Sequence, residues 1–163
     1  MLAVSNTSPI SNLASIGRLA LLKSQLSALW IPDAVVAELT VHPDPIAQAA
    51  IQTALRDQWI QVGTPRGSGL LRLLLSQLHR GEAEAIALAT DLHADFVLID
   101  EQEGRQMASK TGLAVTGVLG VLLRAKHTGE IPAVKPELNA LRSRAHFFIS
   151  LALEKKILAA AGE

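Results

Sequence analysis

Four oxygen-bearing side chains stand where an α/β chain gathers its chemistry. Asn6 follows the apolar run Leu2-Ala3-Val4, and Glu38 follows Ala28-Leu29-Trp30-Ile31. Glu82 opens the segment Glu82-Ala83-Glu84-Ala85-Ile86, and Asp100 ends Phe96-Val97-Leu98-Ile99. A parallel sheet brings the carboxyl ends of its strands, and the helix starts behind them, to one edge. Three carboxylates and one amide meeting there would make a seat for a hard divalent cation, which favours oxygen ligands completed by water. Clustered carboxylates repel one another unless a cation neutralises them. Such a centre can polarise a phosphodiester and activate water.

Each of these residues also has an ordinary structural role. Asp100 at a strand end can cap the following helix through Gln102-Glu103. Glu82 in a first turn is favoured by the helix dipole. Glu38 alone reads as a solvated helix residue, and Asn6 as a turn residue bonding its own backbone. Four such positions in one α/β order outweigh those separate readings.

The elements that must position them follow from the pattern. Leu2 to Ser5 reads as a short buried strand, and Ser8-Pro9 as a cap with proline at the first helical position. Ile10, Leu13, Ile16, Leu19 and Leu22 form a helical face that Gly17 breaks. Strands follow at 28–31, 59–62, 96–99 and 113–116. Helices are expected over 46–56, 70–78, 82–92, 102–110 and 117–126, Gly81 separating the third from the second. From Pro132 come two further helices, a C-terminal helical extension from about residue 134. Alternating strands and helices imply βαβ units and a mostly parallel sheet with helices on both faces. With 163 residues, 49% of them apolar, one domain is expected.

Composition narrows the function. There is no cysteine, which excludes disulfides and thiolate chemistry. No apolar run reaches bilayer length and no signal-like leader opens the chain, so a cytoplasmic protein is expected. The formal net charge is zero. A nucleic-acid partner would therefore be bound weakly or with a metal, since basic excess usually supplies that affinity. Three Phe, two Trp and no Tyr argue against an aromatic stacking platform. The five histidines show no metal-ligand spacing, and no P-loop, dinucleotide fingerprint or nucleophile elbow is present. Arg124, Lys126 and His127 make a small basic patch at a helix end, where the dipole favours cations.

The blocks Val4-Ser5-Asn6-Thr7-Ser8-Pro9-Ile10, Arg80-Gly81-Glu82-Ala83-Glu84-Ala85-Ile86-Ala87-Leu88-Ala89, Val97-Leu98-Ile99-Asp100-Glu101 and Val115-Thr116-Gly117-Val118-Leu119-Gly120 follow in an order that resembles the PIN-domain nucleases. That family includes the VapC-like toxins, and the closer likeness is to a prokaryotic PIN-like branch covering nearly the whole chain. The resemblance implies a three-layer α/β/α sandwich and Mg²⁺- or Mn²⁺-dependent cleavage of single-stranded RNA, leaving a 5′-phosphate. It puts the family's acidic positions on Asn6, Glu38, Glu82 and Asp100. Glu38, Glu82 and Asp100 would bind metal, with Asn6 positioning it or the water. Glu84, about 200° around the helix from Glu82, ranks below it. Ser8 would orient a ligand or water, and Arg105 would face phosphate or form an ion pair. An antitoxin partner and a homodimer are implied in the same way. Asn6 departs from the family's aspartate and brings no charge, so a weakened PIN-like module that binds RNA or protein without cutting is the rival reading. A doubly wound protein whose strand-end acids hold a small ligand is a third.

Overall fold

A computed structural model describes all residues, 1–163. Five parallel strands form the sheet: β1 (Leu2–Ser5), β2 (Ala28–Pro32), β3 (Ile60–Gly63), β4 (Phe96–Leu98) and β5 (Val115–Thr116), in the order β3-β2-β1-β4-β5. Ten helices surround it: α1 (Thr7–Ser15), α2 (Ala20–Gln25), α3 (Asp33–Leu39), α4 (Pro45–Arg56), α5 (Gly69–Leu75), α6 (Arg80–Asp91), α7 (Gln102–Lys110), α8 (Val118–His127), α9 (Lys135–Arg144) and α10 (Leu151–Ala161). No helix is long and apolar enough to cross a membrane.

Strand parity sorts the core into two layers. Ala3, Leu29, Ile31 and Leu98 face one apolar cluster, built with Ile10, Leu13, Leu22, Ile51, Leu122 and Leu138. Val4, Val97 and Ile99 face the other, built mainly from α5, α6 and α7. Alternate residues of a strand point to opposite faces, so one sheet divides two cores and the architecture is α/β/α. The chain winds from β1 out to β3, then returns to place β4 on the other side of β1. A crevice opens at such a reversal, beyond the carboxyl ends of the two strands. Ser5 pairs with Leu98 there, and the Asn6 N–H donates to the Leu98 carbonyl at 3.0 Å.

Several local expectations are corrected. Asn6, not Ser8, caps α1: its extended backbone lets Oδ1 accept from the Ser8 N–H at 3.2 Å, and Pro9 falls in the third helical position. Gly81 lies within the first turn of α6 instead of separating two helices. The leucine-rich helix stops at Leu75; Leu74 is buried while Leu73 and Leu75 are exposed, because α5 lays only one side on α6. Helix α6 is buried on every side from Gly81 to Ala89. Alanine at 83, 85, 87 and 89 leaves room for α3, α5 and the sheet to close around it. Gly17 breaks the first helical face as expected, with a left-handed φ of 72°.

Candidate functional site

All four sequence candidates lie toward the carboxyl edge of the sheet, each held by a different local device. Asn6 leaves the end of β1 and is 4% exposed. While its Oδ1 caps α1, its Nδ2 donates to Glu101 Oε2 at 3.0 Å. The Ser8 hydroxyl donates to the other oxygen of the same carboxylate. Glu101 is thus clamped by two neutral donors from the start of α1. Its signal in the sequence was slight: an acid directly after Asp100, before a helix.

Asp100 does not cap α7. Its Oδ1 accepts from the N–H of Val118, the first residue of α8, at 2.7 Å, and its Oδ2 accepts from Asn12 Nδ2 at 3.1 Å. Its own helix has its cap position at Glu101, without a side-chain bond. Burial pushes the Asp100 carboxyl up to about 6, and the Glu101 charge adds to this. Val118, Asn12 and the Arg105 charge oppose it.

Glu82 is 7% exposed, and its Oε2 accepts from the His79 N–H at 3.3 Å in a capping box. Burial raises its carboxyl above the usual range, and the negative charges of Glu101 and then Glu103 push the same way. Glu38, exposed near the end of α3, accepts from the Thr7 hydroxyl at 2.6 Å.

Glycines admit these carboxylates. A Cβ on Gly81 would stand 2.7 Å from Glu38 Oε1, and one on Gly104 would stand 2.8 Å from Glu82 Oε1. A Cβ on Gly117 would run into Asp100 Oδ1. The Gly104 Cβ would also meet Ile99 Cγ2 at 2.9 Å. Gly104→Ala is expected to destabilise the fold by about 1–3 kcal/mol through overpacking, despite alanine's better helix propensity. Urea unfolding checks this, and an unchanged or raised midpoint would refute it.

The charges are the informative feature. Glu38, Glu82, Asp100 and Glu101 receive hydrogen bonds only from neutral donors, and none is in an ion pair. Glu84, as buried as Glu82, differs: it accepts from Arg80 Nε at 2.6 Å and from the Ala34 N–H at 3.3 Å, tying α6 to α3. Arg105 spends an N–H on the Ile99 carbonyl at 2.8 Å and forms no ion pair. Lys126 and His127 of the basic patch donate to or bond the Pro132 and Ala160 carbonyls and so help seat the C-terminal helix.

The donor set suits a hard divalent cation in kind, being all oxygen and engaged in no ion pair, with the Arg105 charge reaching Asp100. No three of the acids or histidines converge in a geometry that could hold one ion. Mg²⁺ commonly binds through one or two carboxylates with water in its remaining positions, so a three-acid cage is not required of such a site. Glu101 lies close enough to both Glu82 and Asp100 to raise both carboxyls.

Comparison with known proteins fits this geometry. The chain is similar in fold to a PilT N-terminus domain protein, SSO1118, from the archaeon Sulfolobus solfataricus P2. The TM-score is 0.50 at 21% identity, over 77% of this chain and 93% of that one. No curated protein matches it. The model of the family DUF3368, described as a PIN domain, matches residues 2–163. PIN domains are generally nucleases and typically use divalent metal ions. With a five-stranded parallel sheet, helices on both faces and its acids along the carboxyl edge, the chain belongs to the PIN-domain family.

Proposed function

We propose that this protein is a divalent-metal-dependent endoribonuclease acting on single-stranded RNA. The single observation that carries the reading is the unpaired charge: four carboxylates share one edge without an ion pair, whereas the structural acid Glu84 has its arginine. Glu101 together with Asp100 or Glu82 would hold Mg²⁺ or Mn²⁺ at the crevice between β1 and β4, with water in the remaining positions and Glu38 at the margin. The cation would supply Lewis acidity toward the phosphodiester and acidify water. Asn6 and Ser8 hold Glu101 in place, Asn12 and the Val118 N–H hold Asp100, and Arg105 offers charge toward phosphate. A protein antitoxin and a homodimeric state are further proposals from the family likeness; native mass measurement tests the second.

A specific observation favours a second reading, a PIN module that binds without cutting. Asn6 turns its amide hydrogens onto Glu101, so one acid of the edge is already served without a cation. Incubating single-stranded RNA with Mn²⁺ and the native chain, Asp100→Asn or Asn6→Asp separates the two. Cleavage by the native chain, lost in Asp100→Asn, supports the nuclease. Cleavage by Asn6→Asp alone supports the weakened module. Equal cleavage by all three points to contamination and ends both assignments of the site.

A further inference from the structure

Two hollows meet at Asp100 and Arg105, which line both. One runs along α7 past Gln102, Gln106, Ser109 and Lys110. The other, ≈ 360 Å³, lies between α8 and α10 and is walled by Leu123, Phe147, Phe148 and Leu153. Its volume falls within the range of small-molecule sites, roughly 300–1,000 Å³. The two differ in chemistry. The first presents Arg105 and Lys110 with amide and hydroxyl donors, and Asp100 at its end is its only acid. The second has no cation beyond Arg105. Phe148 at its wall is 84% exposed.

We propose that these hollows form one track for single-stranded RNA across Asp100, with the sugar–phosphate backbone along Arg105 and Lys110 and one unpaired base stacked on Phe148. This rests on the nuclease reading for its substrate class and adds where that substrate lies. Charge complementarity selects the occupant: a strand carries phosphate and an apolar base face one nucleotide apart, matching a cationic furrow that opens into an apolar pocket. An apolar helix of a protein partner would fill the second hollow and leave Lys110 and Arg105 unused. One ring is enough, because stacking is tolerant of base identity and contributes roughly tenfold in affinity per base. A neutral chain can bind in this way because the cations used are local to α7.

The test uses the full chain and a decanucleotide RNA carrying one 2-aminopurine, whose fluorescence is quenched on stacking, titrated in EDTA at several salt concentrations. Phe148→Ala should raise Kd about tenfold and abolish the quench at saturation, with Phe148→Trp restoring both. Lys110→Ala should raise Kd and flatten the salt dependence by about 0.7 for one lost phosphate contact, leaving the quench at saturation intact. Phe148 is exposed, so its loss does not threaten the fold.

Unchanged affinity and quench in Phe148→Ala overturns the track. If the native chain still cuts RNA and Asp100→Asn does not, the nuclease reading survives that failure. If the native chain neither binds nor cuts, both fall. Should Phe148→Ala dissociate a dimer in sedimentation while RNA binding is unmoved, a second copy occupies the hollow and the track is refuted.

Discussion

Asp100→Asn is expected to lower RNA cleavage by on the order of 10²-fold or more, as removal of a preorganised electrostatic group does, while making the fold more stable above pH 7. The two effects have one cause. The Asp100 carboxyl titrates at about 6 in the fold against an ordinary 3.8. Above pH 6 the folded protein carries a charge that burial disfavours. Between about pH 6 and pH 4 the native state binds the proton and the unfolded chain does not, so stability rises as pH falls through that window. Glu82, raised in the same direction, contributes with the same sign. Asparagine removes the Asp100 part of the slope. Its amide oxygen can still accept from the Val118 N–H, and the Asn12 amide can turn to present its oxygen to the new NH₂. The variant should gain about 1–2 kcal/mol at pH 7.5, after losing charge-assisted bonds, and converge with the native protein near pH 4. Urea unfolding across pH 4–8 measures this. A native-like slope in the variant would show that Asp100 is not the titrating group.

Asn6→Asp is expected to make the stability of the fold depend on a divalent metal far more strongly than it does in the native chain. The new carboxylate would keep the α1 cap to the Ser8 N–H but stand about 3 Å from Glu101 Oε2 in place of a donor. Like charges at that distance raise each other's pKa and oppose folding, and leaving Glu101 with one donor adds to the cost. In EDTA at pH 7.5 the variant should lose about 1–3 kcal/mol, and millimolar Mn²⁺ should return most of it through binding to the folded state. The native chain, with Glu101 already clamped, should shift its melting temperature much less on the same addition. Equal responses of the two chains would mean that Asn6 and Glu101 do not interact as described. Asn6→Ala serves as the control: it loses cap and clamp together, and Mn²⁺ should not rescue it to the same degree.

What could be read along the chain was the order of its elements. Apolar runs of four residues alternating with helical periodicity force βαβ units, and parallel pairing then carries Asn6, Glu82, Asp100 and their neighbours to one edge. That result needs only local pattern and the geometry of a parallel crossover, so the edge on which these residues lie was legible from the chain, although Glu101 was not picked out there. Which oxygen faces which donor was not. Asn6 meets Glu101 across 95 positions and Asp100 meets Asn12 across 88, and the Asp100 carboxylate caps α8 instead of its own helix. Hydrogen bonds of that reach leave no periodicity in a sequence, because they depend on the angle at which packed helices arrive. Gly81 read locally as a break between two helices, and only packing reveals it, with Gly104 and Gly117, as a gap into which a carboxylate fits. Glu84 and Glu82 differ in reach: Glu84 is paired by Arg80 one turn back on α6 itself, a local i,i+4 spacing, whereas the carboxylate that bears on Glu82, Glu101, arrives only through packing.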